Sequence, residues 1–422
     1  MEAAAAAPDA QQIAEGLTRD TRSRVAEYKR RKPSLEERMK NTVGLYSDKQ
    51  LSVLNEDDVG KLIPFDISAQ DDSMQHYLKR EHKEGDGFWM VRPQTIQAMD
   101  FIDKHVNRVT LPRKPKNNLP YATAVPNIGL IHGHRGTGKS FTMAQAVQYA
   151  KEQGWIALSF TGYDTIHDMQ GVIKASIQPG REGSYDQLLK SRLFLEKLAS
   201  AYPEMLKQIP LTQTHYEGYG NWIEAEDARY NAPQNLVQTG EFYPWPNPEL
   251  VPRPTERVGK TLFDLAAVGA WRTDLAAWVA TDVLRELKRQ TLFPVLIAID
   301  DINAMDQLSD YVNPAKLRYK LEANRLSFVQ ALHECLDEPP HRGCTLVSTS
   351  SHFTQYRVPN LMERAGKHIQ SVVYDNIQLQ GMLEHYHQSK FILTHMDIEF
   401  LRRAEILTGG NPLDVRQFAS VQ

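Results

Sequence analysis

Two cysteines in 422 residues, Cys335 and Cys344, are too few for a disulfide framework or for a zinc site of their own. Their scarcity fits a reducing compartment. No apolar run approaches the ~18 residues that a membrane-spanning helix needs, so no membrane span is expected. An excess of charge of one sign is also missing. The 49 Lys and Arg stand against 52 Asp and Glu, a formal net charge of −3. That balance excludes a protein that coats nucleic acid over its whole surface. None of the 14 histidines falls in a His-Glu-x-x-His zinc pattern. The chain also lacks Asn-Lys-x-Asp, the stretch that reads guanine in Ras-like GTPases. What is present is ordinary for a globular protein: 41% hydrophobic and 24% charged residues, and length for two or three units at about 150 residues each.

The near-neutral total hides local bias. Residues 19–40 hold nine Lys and Arg against four acids, with Arg30-Arg31-Lys32-Pro33 at the middle and little apolar content. Such a stretch reads as a solvated arm or as an arm that orders on an acidic partner such as RNA. Lys104, Arg108, Arg113, Lys114 and Lys116 form a second basic stretch without an acid, broken by Pro112 and Pro115 into a loop. Residues 212–250 are the reverse, with six acids against Arg229 alone. Pro244, Pro246, Pro248, Pro252 and Pro254 follow around Phe242, Tyr243 and Trp245, which excludes a central strand or a continuous helix. The spacing predicts an insertion over about 202–260.

From Asn127 onward short apolar runs alternate with helical stretches. Strands are expected at 128–131, 155–160, 294–299, 344–348 and 369–374, and helices at 140–151, 261–290 and 317–336. Alternation of this kind predicts an α/β fold with a parallel sheet flanked by helices. The expected organisation is an N-terminal extension at 1–86, a nucleotide-binding core at 87–380 carrying the insertion, and a C-terminal helical lid at 381–422.

One motif carries chemistry. Gly133-His134-Arg135-Gly136-Thr137-Gly138-Lys139-Ser140 matches G-x-x-x-x-G-K-[ST] in full, with a strand before it and a helix after it. Glycines let backbone N–H groups curl around phosphate oxygens, and the helix N-terminus adds partial positive charge. Lys139 can reach the β and γ phosphates, and Phe141 continues the helix next to them. The Ser140 hydroxyl suits Mg²⁺, which takes few protein ligands beside phosphate oxygens. A second acid is needed, and Leu296-Ile297-Ala298-Ile299-Asp300-Asp301 supplies a strand ending in two carboxylates. Asp300 is the expected second Mg²⁺ ligand, and Asp301 the candidate to orient a water, although it is shorter than the Glu of many P-loop ATPases. The strand end Ser348-Thr349-Ser350-Ser351 can place a polar side chain at the γ-phosphate, or simply form a turn. Near the C-terminus, Gly409-Gly410-Asn411-Pro412 stops one helix and starts another. After a P-loop core this turn resembles that of AAA-like NTPases of the signal-transduction branch, in which the proline packs near the base. Metal binding at His132/His134 or His385/His387 is disfavoured, because i,i+2 helix positions do not share a face and His134 belongs to the loop.

These stretches together resemble the death-associated protein three family. The residues that carry the resemblance are 130–140, Leu296 to Ala304 as LIAIDDINA, Met90-Val91-Arg92, Trp155-Ile156 and Tyr374-Asp375-Asn376. Ile302-Asn303-Ala304 is the most specific mark. The resemblance implies a P-loop NTPase fold of AAA/STAND-like type and a mitochondrial matrix location. It further implies a place in the head of the mitochondrial ribosome's small subunit beside rRNA and ribosomal proteins, without homo-oligomers. The expected cofactors are GTP or GDP with Mg²⁺, the motifs leaving ATP open. One position departs from the family pattern, where Asp301 replaces the glycine expected after the Asp300 acid. The first reading is therefore a nucleotide-binding structural component supporting mitochondrial translation, at most a slow P-loop GTPase. The rival is a stand-alone AAA/STAND-like ATPase acting as a switch or remodeller.

Overall fold

The computed structural model describes residues 44–65, 88–107, 125–167, 173–176, 178, 180–212, 246–252, 260–313, 319–350 and 358–422. Five strands form the central sheet: β1 Val125–His132, β2 Ile156–Thr161, β3 Val295–Asp300, β4 Gly343–Ser348 and β5 Ala365–Gln370. All are parallel, in the order β5-β1-β4-β3-β2. All six residues of β3 are buried, and its side chains alternate between the two faces of the sheet. Val295, Ile297 and Ile299 join one apolar cluster, while Leu296 and Ala298 join another on the opposite face. A strand buried on both faces reads as a continuous apolar run, and parallel sheets covered on both sides have such strands.

One face is covered by α1 (Pro93–Asp103) and α2 (Lys139–Glu152), through Phe101, Ile102, Met143 and Val147. The other is covered by α3 (Leu188–Ala201), α4 (Leu262–Trp271), α5 (Ala276–Arg289) and α6 (Ser327–Asp337). This is the α/β fold of P-loop NTPase type that the sequence predicts. A separate small core of Leu379, Leu383, Ile392, Phe400, Ala404, Val415 and Phe418 joins α7 (Asn376–Gln388), α8 (Ile398–Thr408) and α9 (Pro412–Ser420).

Three expected elements differ. The fifth strand lies at Ala365–Gln370 rather than 369–374, because its register on β1 ends at the Gln370–His132 pair. The stretch 261–290 is two helices, separated where Arg272 turns back to hold Asp274 at 2.9 and 3.0 Å. The stretch 317–336 is α-helical only from Ser327, after a single 3-10 turn at Ala323–Arg325. Upstream of it, Lys320–Glu322 pairs antiparallel with Leu308–Val312, and the Ser309 hydroxyl donates to Leu321 O at 2.9 Å. That pairing satisfies backbone groups which a helix would otherwise have used.

The two expected domain boundaries fall inside packed units. Leu62–Pro64 pairs with Phe88–Met90 across the 86/87 position, and Leu51, Ile63 and Phe65 are buried in the cluster under α1 and α2. The 380/381 position lies within α7. The insertion has a closed stem: Leu211 N donates to Lys260 O and Leu262 N to Ile209 O, both at 2.9 Å. The basic arm 19–40, most of the second basic stretch, and the aromatic residues Phe242, Tyr243 and Trp245 lie outside the described residues. Among the described residues, no helix is long and apolar enough to cross a membrane.

Candidate functional site

The sheet order sets the site. β4 lies between β1 and β3, with Ser348 opposite Ile131 and Val347 opposite Ile299. The carboxyl ends of β1, β4 and β3 therefore present the 133–140 loop, Ser348 and Asp300 along one edge, where ligands bind in open α/β sheets.

The loop adopts a conformation its sequence permits. Gly133, Gly136 and Gly138 have φ of 148°, 79° and 90°, values that side chains disfavour. Five consecutive carbonyls of the loop accept hydrogen bonds. Lys139 Nζ donates to Gly133 O (3.1 Å) and His134 O (2.8 Å), and Thr137 Oγ1 also donates to His134 O. Asn411 Nδ2 donates to Arg135 O (2.7 Å), and Leu413 N to Gly136 O (3.2 Å). The Ser371 hydroxyl (2.8 Å) and Arg92 donate to Thr137 O. In a planar trans peptide the N–H points away from the preceding C=O. The donors from outside the loop hold Arg135 O, Gly136 O and Thr137 O, which turns the amides of residues 136–138 away from Asn411, Leu413, Ser371 and Arg92, at the N-terminus of α2. That geometry suits a phosphate.

The acids close the other side. Asp300 is buried at the end of β3 and accepts from the hydroxyls of Ser348 and Ser140. Burial raises its carboxyl, and these hydrogen bonds together with the Lys139 charge counter the rise. Asp301 takes the left-handed conformation (φ 53°, ψ 45°), and its N–H donates to Ser348 Oγ at 3.1 Å. Burial and then the charge of Asp300 push its carboxyl up to about 8. Burial lowers Lys139, while Asp300 and Asp301 raise it. Lys139 thus faces the carboxyls of Asp300 and Asp301, and a divalent ion beside Asp300 would favour its ionised form against the burial. Ser140 and Asp300 are adjacent oxygen donors of the kind that could hold Mg²⁺, an ion that takes its remaining ligands from water and phosphate. Among the described residues no cluster of three or more His, Cys, Asp or Glu can hold a metal alone.

The remaining sequence candidates are placed as follows. Thr137 is buried within the loop, and His134 and Arg135 are exposed on its crest. The Phe141 ring packs edge-on against Trp89 at 4.5 Å, among the apolar residues beneath α2, instead of lining the loop. Pro412 opens α9, and its neighbours Asn411 and Leu413 make the contacts to the loop. Ser348 serves Asp300, and the Ser350 backbone is locked by Asn303, whose side chain exchanges bonds of 2.7 and 2.8 Å with it. His385 bonds the Tyr46 hydroxyl at 2.9 Å. Burial, then His368 and Lys139, lower His132.

The motif does not announce Arg92, Ser371 or Asn411 as loop supports. Arg92 lies in one stretch that carries the family resemblance and Asn411 in the Gly-Gly turn, whereas nothing in the sequence marks Ser371.

Two comparisons bear on the chain. It is similar over 86% of its length, at 14% identity, to 83% of a chain in the structure of the E. coli MS115-1 HORMA:CdnC:Trip13 complex; the TM-score is 0.29, and that likeness carries no argument. A sequence model described as mitochondrial ribosomal death-associated protein 3 matches residues 127–358, more than half of the chain. The matched stretch holds the loop, Asp300, Asn303 and Ser348, and the chain belongs to this family and is a mitochondrial ribosomal protein.

Proposed function

We propose that this protein is a nucleotide-binding structural component of the mitochondrial ribosome's small subunit, acting in the matrix in support of translation. It holds GTP or GDP with Mg²⁺. The observation that carries the reading is that Arg135 O, Gly136 O and Thr137 O are tied from outside the loop, which leaves the amides of 136–138 to a ligand beside Lys139, Ser140 and Asp300. Residues 133–140 would bind the phosphates, and Ser140 with Asp300 would hold Mg²⁺. The ion, when bound, would supply charge neutralisation at the phosphates. Guanine is the base the family resemblance favours. Hydrolysis is slow or negligible in this reading. Asp301 follows Asp300 directly, but it is shorter than the Glu that many P-loop ATPases use there to orient a water.

Bound nucleotide stabilises the sheet edge, because a ligand taken only by the folded state adds to stability. The basic stretches at 19–40 and 104–116 suit limited rRNA contact, and the acidic insertion suits protein neighbours.

Extraction and chromatography of the nucleotide that copurifies with the folded chain tests the site and the base together. Guanine nucleotide is expected; a nucleotide-free chain that also fails to bind added GDP overturns the site. Sedimentation on gradients tests the assembly, and a chain running free of the small subunit refutes it. Multiple turnover at or above about 1 s⁻¹ favours a stand-alone ATPase instead.

A further inference from the structure

The C-terminal unit of α7–α9 is bolted to the phosphate loop through one short turn. Gly409 and Gly410, with φ of 54° and 72°, bring the chain round so that Asn411 meets the loop. Asn411 makes two different bonds. Its Oδ1 accepts from Leu413 N at 3.0 Å and caps α9, while its Nδ2 donates to Arg135 O at 2.7 Å. Leu413 N also reaches Gly136 O at 3.2 Å. A side chain at 136 would collide with Asn411 Oδ1 and lie 2.8 Å from Leu413 Cβ. Gly136 therefore makes room for the C-terminal turn as well as for the loop's own curvature. Behind the turn, Tyr374 N donates to Gly410 O at 2.7 Å, and the Tyr374 ring lies 4.8 Å from the Arg92 guanidinium, which donates to Thr137 O. Both ends of the contact thus return to the same loop.

We propose that Asn411 is a positioning residue that couples phosphate binding to docking of α7–α9. Resting on the nucleotide reading above, this inference names how that site is regulated. By holding Arg135 O, the Asn411 amide fixes the 135–136 peptide with its N–H turned toward the phosphate side. A phosphate that fixes the same peptide favours the docked turn in return. Coupling between two binding events is reciprocal, so the C-terminal unit senses nucleotide as much as it retains it.

Asn411→Asp separates the two roles in the full-length chain. The carboxylate still accepts from Leu413 N and caps α9, but it has no donor for Arg135 O. Asn411→Ser is the second variant, with a smaller capping oxygen. Fluorescent GDP and ADP with Mg²⁺ give affinity and release rate, and amide exchange with and without nucleotide reads residues 398–422. In the wild type, nucleotide is expected to slow exchange at 398–422. In Asn411→Asp, release speeds up about 5- to 10-fold, the worth of one hydrogen bond. The nucleotide-dependent protection at 398–422 disappears, while exchange in β1, β3 and β4 stays as in the wild type. Release and protection equal to wild type in both variants overturn the coupling and leave the nucleotide site standing. A wild-type chain that binds neither nucleotide overturns the functional reading, and the coupling with it, before any variant is made.

Discussion

Removing Arg92 tests whether the phosphate loop is held from behind. The side chain is only 6% exposed, and no carboxylate bonds its guanidinium among the described residues. It donates instead to two carbonyls, Thr137 O in the loop and Val372 O beyond β5, with the Tyr374 ring 4.8 Å away. The Gln94 amide oxygen, in the orientation that satisfies it, accepts from Nε at 3.1 Å. Burial lowers the guanidinium's pKa, and Tyr374 and Asp375 raise it; an arginine remains charged under such shifts. Hydrogen bonds from a charged donor contribute ~1.5–3 kcal/mol each, and a desolvated cation–π contact ~2 kcal/mol. Against this stands a desolvation cost of several kcal/mol, which the deletion removes.

Arg92→Ala should therefore lose about 2–4 kcal/mol, in the range of variants that break a buried polar network. Urea denaturation at pH 7 measures the loss, and retention of fluorescent GDP measures the site. Arg92→Met restores volume without donors, so it should recover part of the stability and none of the nucleotide affinity. Arg92→Lys should fall between, since one ammonium does not reproduce a planar fork between two carbonyls. A change below about 1 kcal/mol in Arg92→Ala, with GDP retained at wild-type affinity, refutes the idea that these carbonyl ties orient the loop.

Lys139→Ala should abolish nucleotide retention while leaving the chain folded, with a loss of about 1–3 kcal/mol by urea denaturation because Gly133 O and His134 O lose their buried donor; full occupancy would remove the loop from nucleotide binding. Asp301→Gly should stabilise the chain by about 1 kcal/mol, because it relieves a left-handed non-glycine residue and a carboxyl beside Asp300, less the extra chain entropy of glycine. A lower urea midpoint contradicts this, and a tenfold fall in hydrolysis would assign Asp301 to catalysis. Acid should loosen the 44–65 segment. Burial raises the Asp58 carboxyl, but hydrogen bonds from Lys49, Lys61 and the Asn55 N–H outweigh this and hold it at about 2 against 3.8 unfolded. The folded value is the lower, so the contribution is complete above about pH 4 and is lost as pH falls through about 2. It amounts to about 1–2 kcal/mol after allowance for the half-exposed lysines. Asp58→Asn should flatten stability between pH 5 and pH 2.5, and an unchanged slope there counts against the pair.

The order of elements was legible where pattern and chemistry are local. Ile128, Leu130 and Ile131 run directly into the Gly-rich loop, and the six buried residues of β3 end in Asp300, so both candidate ligand groups are visible in short windows. The resemblance rested on the same windows, and the matched stretch contains most of them. Patterns failed where a competing partner was remote. Apolar positions at 317–336 suit a helix, yet Lys320–Glu322 was taken by the strand Leu308–Val312. Residues 44–65 read as part of an extension until Leu51, Ile63 and Phe65 were seen beneath α1 and α2.

By itself the sequence determined the fold class, the phosphate-loop motif, the acid that faces it and the family. Each depends on residues next to one another or on a short period. Tertiary structure alone decided how the loop is held. Arg92, Ser371 and Asn411 reach it across 45, 234 and 276 positions of chain. It also set Ser348 against Asp300 by placing β4 between β1 and β3. A donor's distance from a carbonyl depends on the crossovers and helix packing between them, and no local propensity encodes that distance.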